Sequence, residues 1–198
     1  MPQQQTTILL VRHGQTEWNK QHRIQGHQDS PLTSLGKQQA QQTKISLKQF
    51  DIQQAFVSPL KRAVDTAEII LQGRSLQAST LHDLSEIKLG PWEGKTRAET
   101  ALTHPEAHNS FWNRPDTFAL AGAETFAQLQ QRMVGSLETI FANAGNTNVL
   151  VVSHWIAIKV ALAFYKNIPL SLLPEMKDPE NGSYLMLRKH GEQVSIVE

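Results

Sequence analysis

Apolar residues fall into two patterns along this chain. Short unbroken runs, Ile8-Leu9-Leu10-Val11 and Val149-Leu150-Val151-Val152, have the length and β-branched content of strands buried on both faces. Ala55-Phe56-Val57 predicts a third strand and residues 77–81 a fourth, shorter one. Between the runs, apolar residues recur at helical spacing. Leu32, Leu35, Ala40, Ile45, Leu47 and Phe50 mark a helix of imperfect period that Thr33 or Ser34 can cap. Ala63, Ala67, Ile70 and Leu71 mark a second, opened by Ser58-Pro59 as cap and first turn and closed by Gly73. Phe126, Leu129, Met133, Leu137, Ile140 and Phe141 predict a long helix over about 124–142, and the segment from Trp155 to Tyr165 is apolar almost throughout. Residues 184–187 and 194–197, around His190-Gly191, predict a terminal hairpin. This β–α alternation predicts an α/β fold, a three-layer sandwich whose mostly parallel central sheet carries helices on both faces. Sites in such folds gather beyond the carboxyl ends of the strands.

One stretch breaks the pattern. From 90 to 120, Gly90-Pro91, Gly94, Pro105 and Pro115 interrupt any sustained period, yet Trp92, Phe111, Trp112 and Phe118 all lie here. Aromatics in so broken a segment suggest an insertion or lid packed down over something. With 198 residues, no internal repeat and no linker, the expectation is a single domain over 1–198.

Composition narrows the chemistry. Nineteen Lys and Arg against eighteen Asp and Glu give a net charge of +1, without the basic footprint of a nucleic-acid binder. The absence of cysteine removes thiolate metal sites, iron–sulfur clusters, disulfides and thiol nucleophiles, leaving oxygen and imidazole chemistry. No cofactor is implied, and His22, His27, His82, His104, His108 and His190 lack the spacing of a metal site. Residues 1–7 are polar without an apolar leader core, and the apolar runs are too short to cross a bilayer, so the expectation is a soluble, cytoplasmic protein with no membrane partner. Nothing in the pattern states an oligomeric state.

Two histidines directly follow the two most apolar strands, His13 and His154. Either alone reads equally well as a loop histidine bonded to a carbonyl; the pair points to a site. Arg12 adjoins His13, and Arg62 stands in the first turn of the second helix, facing the same sheet edge. Two guanidiniums on one rim repel unless an anion lies between them. The helix N-termini after Ser58 and Ser153 promise unpaired N–H groups on that rim as well. An anion site follows, with phosphate the leading ligand.

These residues resemble the histidine phosphatase superfamily, the phosphoglycerate mutase-like proteins. The resemblance runs through Leu10-Val11-Arg12-His13-Gly14-Gln15-Thr16-Glu17-Trp18-Asn19, Arg23-Ile24-Gln25-Gly26, Asp29-Ser30-Pro31-Leu32-Thr33 and Gly36. It continues in family order with Ser58-Pro59-Leu60-Lys61-Arg62-Ala63, Thr66-Ala67, Leu84-Ser85-Glu86, Trp92-Glu93-Gly94, Gly122-Ala123-Glu124-Thr125 and Val151-Val152-Ser153-His154. It implies that His13 is the nucleophile, phosphorylated during the cycle. Arg12, Arg62 and His154 would hold the phosphoryl group, Asn19, Gln25 and Gly26 would line the pocket, and Glu86 would be the proton donor of the phosphatase branch. The implied activity is hydrolysis of small phosphomonoesters through phosphohistidine, with a phosphorylated metabolite or phosphate ion as partner. A phosphoglycerate mutase and a non-catalytic phospho-ligand module are the rival readings. Arg23-Ile24-Gln25-Gly26, Leu84-Ser85-Glu86-Ile87 and the short chain favour hydrolysis.

Other positions carry plainer expectations. Glu17 and Asp29 read as structural loop acids, and Trp18 and Trp92 as core or cleft aromatics. The departure from the family is Trp155, where glycine normally follows the second histidine; it either narrows the cleft or packs into the core behind its helix. Lys159, one turn on, stands where an arginine is common.

Overall fold

Strand β1 (Thr7–Arg12) is buried on both faces because its residues alternate between two cores. The computed structural model describes residues 5–191 and 193–197. Residues 1–4, most of the polar N-terminal run, lie outside the described residues, as do Glu192 and Glu198. After β1 come α1 (Glu17–Lys20), α2 (Ser34–Ser46), β2 (Ile52–Val57), α3 (Lys61–Leu71) and β3 (Ser79–Thr80). Then follow α4 (Arg97–Thr103), α5 (Pro105–Asn113), α6 (Phe126–Asn143), β4 (Asn148–Ser153), α7 (Trp155–Tyr165), β5 (Tyr184–His190) and β6 (Gln193–Val197).

The strands form one sheet in the order β3-β2-β4-β1-β5-β6. β3, β2, β4 and β1 are parallel; the terminal hairpin adds β5 and β6 antiparallel. Ile8, Leu10, Val149 and Val151 face α6 and α7, while Leu9, Val11, Leu150 and Val152 pack with α3 and with Leu47, just beyond α2. The period-2 alternation of side chains thus makes the middle layer of a three-layer sandwich. No helix among the described residues is long and apolar enough to cross a membrane.

Register positions the chemistry. Val11 pairs with Val152 and Arg12 with Ser153, so both central strands end level and His13 and His154 leave the sheet side by side. Val57 is level with Val152 as well, which brings Ser58 to the same edge.

Several local expectations shift. Thr33 is the cap of α2, accepting from the Gly36 N–H at 3.0 Å. The third helix does not open at Ser58-Pro59 but at Lys61, and its N-terminal N–H groups are capped from a distance: Lys61 and Arg62 donate to Asp29 at 2.8 and 3.4 Å. The expected strand at 77–81 shrinks to two paired residues. Within 90–120, two short helices form without periodicity because caps define them. Thr96 and Glu99 make a reciprocal capping box for α4, and Pro105 starts α5. The aromatics Trp92, Phe111 and Phe118 are buried in the core there.

The loop carrying His13 touches α2 backbone to backbone. A Cβ at Gly14 would lie 2.3 Å from the Gly36 carbonyl oxygen, and one at Gly36 would lie 2.0 Å from that of Gln15. Gly36→Ala therefore forces α2 away from this loop. The expected cost is about 2 kcal/mol, a Tm lower by roughly 4–8 °C in thermal unfolding; an unchanged Tm would show that the two backbones separate freely.

Candidate active site

The His13 Nδ1 lies 2.7 Å from the Gly14 carbonyl oxygen, so Nδ1 carries the proton and Nε2 keeps its lone pair. The main chain around it is pinned from three directions. The His13 N–H donates to Ser153 O, the Gly14 N–H to the Thr66 hydroxyl, and the Gly182 N–H to Arg12 O. Arg12 donates through Nη1 to Pro179 O at 2.7 Å, and Asn181 Nδ2 donates to His13 O at 3.0 Å. No apolar period or motif in the sequence marks the 178–182 segment; only its position after β1 in space makes it part of the site.

Arg62 is 1% exposed. Its Nη atoms donate to Gln28 O, Asp29 Oδ1 and Gly26 O at 2.7–2.8 Å, which leaves Nε without a partner. Asp29, expected to be a structural loop acid, is both the counter-charge of this arginine and the cap of its helix. His154 is fully buried, its ring centroid 5.1 Å from that of His13, and it stands one layer behind the cavity wall rather than on it. Its Nε2 meets the Ser58 hydroxyl at 2.7 Å and its Nδ1 has no partner. The Leu60 N–H donates to that same hydroxyl oxygen, so the hydroxyl proton is free for Nε2 and the imidazole proton for Nδ1.

Glu86 is 8% exposed. One oxygen accepts from the Ile87 and Ala157 N–H groups at 2.9 and 3.1 Å, the other from Ile156 N–H at 3.1 Å. This corrects the expectation that the helix N-termini offer free N–H groups to a ligand. The N-terminus of α7 is taken by Glu86 and that of α3 by Asp29, because a carboxylate held there satisfies both the orphan donors and the helix dipole. Among the buried side-chain atoms left unpaired are Arg12 Nε, Arg62 Nε and His154 Nδ1, together with the indole nitrogens of Trp92, Trp112 and Trp155.

Asn19 and Gln25 also face this space. Asn19 accepts the Thr16 N–H on its Oδ1, Gln25 accepts the Ser30 hydroxyl on its Oε1, and the one Thr16 hydroxyl proton lies within reach of either oxygen, so each side chain has its amide N–H groups left to offer. Gly26 sits at φ +54 with Glu93 packed where a side chain would be. The cavity holds about 330 Å³ and is lined by Arg12, His13, Asn19, Gln25, Gly26, Arg62 and Glu86. Ile24, Leu89, Arg97, Phe111, Trp112 and Trp155 line it as well. Among the described residues, no group of three or more His, Asp or Glu is placed to hold a metal ion.

Burial, then Arg62 and Arg12, pushes the His13 imidazole well below its ordinary value of 6.5, and burial and Arg62 do the same to His154. Desolvation also pushes Arg12 down to about 10 against the pull of Glu86 and Asp178. The pocket is thus short of negative charge, and burial beside the arginines keeps His13 and His154 neutral.

A family model described as the histidine phosphatase superfamily, branch 1, matches residues 8–198. The chain belongs to this superfamily. It is 37% identical over 150 residues to "Phosphoglycerate mutase-like protein 4" of Arabidopsis thaliana, covering 74% of this chain and 65% of that protein. It is 36% identical over 157 residues to "Uncharacterized phosphatase PhoE" of Bacillus subtilis, covering 79% of this chain and 76% of that one. The solved structure of Bacillus stearothermophilus YhfR superposes with a TM-score of 0.95 at 35% identity, covering 98% of this chain and 96% of that one. Membership and the phosphatase-named relatives make the chain a phosphatase-type enzyme.

Against this histidine phosphatase pattern, Trp155 has a definite place. Its ring lies 29° from parallel to Trp112, centroids 6.0 Å apart, with the Arg12 guanidinium 5.8 Å from its centroid. Arg97 covers Trp112 at 3.5 Å. Trp155 is half-buried, and the two indoles, with Phe111 and Ile156, line both the main cavity and a second one of about 50 Å³ that Lys159 also lines. Lys159 is itself buried and pairs with Asp178 at 2.5 Å. Sequence could flag Trp155 as unusual, but Trp112 and Arg97 lie too far along the chain for any local pattern to join them to it.

Two outcomes follow from this geometry. Each histidine takes up a proton more readily unfolded than folded, so the ligand-free protein keeps its full stability above about pH 6.5 and loses it as pH falls below that value. Added phosphate should blunt that loss of Tm, and a Tm flat from pH 7 to 5 would contradict neutral buried histidines. Trp155→Gly joins the two cavities, and kcat/KM for bulky esters relative to small ones should rise about tenfold. An unchanged substrate profile with a lower Tm would assign Trp155 to packing alone.

Proposed function

We propose that this protein is a cytoplasmic, single-domain phosphatase that hydrolyses small phosphomonoesters through a phosphohistidine intermediate, with His13 as nucleophile. The observation that carries the reading is the set of buried, unpaired donors around His13: Arg12 Nε, Arg62 Nε and His154 Nδ1. Most buried polar groups are paired, and unpaired cationic nitrogens are costly enough to call for a partner. The two guanidinium donors line the cavity and fit the oxygens of a phosphoryl group, and the His154 donor lies beside His13.

In the first half-reaction His13 Nε2 attacks phosphorus in line with the ester oxygen. The N–P bond forms, the P–O bond breaks, and Glu86 in its acid form gives its proton to the departing alkoxide. In the second, the Glu86 carboxylate takes a proton from water, the hydroxide attacks phosphorus, and the P–N bond breaks to release phosphate. A neutral imidazole needs no base to become a nucleophile, which suits a histidine kept neutral by burial and two arginines. Arg12 and Arg62 balance charge on the equatorial oxygens through both steps, and the neutral His154 supports them with a hydrogen-bond donor rather than a charge. Asn19, Gln25 and the Gly26 backbone line the oxygen-binding floor, and no cofactor enters the scheme.

The test is hydrolysis of a panel of phosphate esters, with phosphoglycerate isomerisation run in parallel and acid-labile, base-stable labelling followed on the protein. His13→Ala should fold, bind phosphate weakly, lose the label and lose at least about 10³-fold in turnover. Isomerisation without hydrolysis would favour the mutase reading. Phosphate binding with no turnover in the wild type would favour a binding module, and full activity in the variant would falsify the mechanism.

A further inference from the structure

The loop that carries Glu86 is held almost entirely by side chains from elsewhere. The carbonyl oxygens of Asp83, Ser85 and Glu86 accept from Arg132 at 2.8 Å each, and that of Leu84 accepts from the Ser153 hydroxyl at 2.8 Å. His27 Nε2 adds a second bond to the Glu86 carbonyl at 2.9 Å. Four consecutive carbonyls are thus each taken by a side chain, and Arg132, on α6, supplies three of the four.

Arg132 spends its whole guanidinium here. Nε and Nη2 form a fork onto the two oxygens of Glu124 at 2.7 and 2.8 Å, and the three remaining bonds go to the loop, so all five N–H groups are used. Glu124 is also tied to the loop through its main chain, its N–H donating to Lys88 O at 2.8 Å. Only arginine has five donors in a rigid plane; a lysine ammonium has three on a flexible stem. On the other side of the same residue, the carboxylate rests on the N-terminus of α7 through Ile156 and Ala157. Glu86 is therefore clamped at its backbone by α6 and at its carboxylate by α7.

We propose that Arg132, oriented by Glu124, is a positioning residue for Glu86, setting where its carboxyl group stands relative to the leaving oxygen. This rests on the reading of Glu86 as the proton carrier. A pure staple between α6 and the loop would affect every substrate alike through stability. A positioning residue instead affects proton delivery, which matters in proportion to how poor the leaving group is.

The experiment compares kcat/KM for an alkyl phosphate and for an aryl phosphate with a good leaving group, in wild type, Glu86→Gln, Arg132→Lys and Glu124→Gln. Glu86→Gln serves as the reference, with its loss confined mostly to the alkyl ester. Arg132→Lys should lower the alkyl rate about 10–100-fold while the aryl rate changes less than about threefold, and Glu124→Gln should shift both in the same sense by less. An even loss on the two esters, or no loss on the alkyl ester, overturns the proposal. If Arg132→Lys does not fold, Glu124→Gln, which keeps the three carbonyl bonds but loses the counter-charge, is read by the same criterion. A selective Glu86→Gln beside an even Arg132→Lys rejects the positioning role alone. An even Glu86→Gln rejects the reading of Glu86, and the role of Arg132 falls with it.

Discussion

Two guanidiniums held out of water within one pocket are the constraint around which this site is built. Desolvation lowers both Arg12 and Arg62, repulsion from Arg62 lowers Arg12 further, and Arg62 is the more deeply buried. The protein answers with partial compensation. Asp29 pairs with Arg62, three main-chain carbonyls share the outer donors of the two arginines, and one inner nitrogen of each is left unsatisfied. Full pairing by protein acids would stabilise the free fold and abolish the anion site. In the proposed function, the unsatisfied donors would make a phosphoryl group a better occupant than water.

The same constraint explains where the acids went. Each helix that points its N-terminus at the site carries positive partial charge there, and left open it would add to the electrostatic stress on the arginines. Asp29 on α3 and Glu86 on α7 close those ends. In doing so they become parts of the site, Asp29 by orienting Arg62 and Glu86 by standing beside the cavity with a fixed carboxylate. Helix capping and site geometry are here one arrangement.

Legibility followed interaction range. The strands at Ile8 and Val149, the long helix α6 and the terminal hairpin were readable because burial on a sheet or helix face imposes a short period on neighbouring residues. Arg12, His13, Arg62, Glu86 and His154 were readable as a set through the ordered resemblance, and Arg12, His13, Arg62 and His154 also through their place after strands. The start of α3 was misread because Ser58 has the right residue type for a cap but spends its hydroxyl on His154. The helices of the 90–120 stretch were missed because seven and nine residues are too few to show a period.

By itself, then, the sequence determined the alternating elements and the three layers, because these depend on side-chain type and spacing along a few turns of chain, and through its resemblance it named the candidate site residues. Tertiary structure alone decided who partners whom. Asp29 with Arg62, Glu86 with the first turn of α7, Ser58 with His154, Trp155 with Trp112 and Arg132 with three carbonyls of a loop more than forty residues away are meetings across the fold. A hydrogen bond leaves no period in the sequence, and its donor can be matched to its acceptor only once the sheet register has brought the two together.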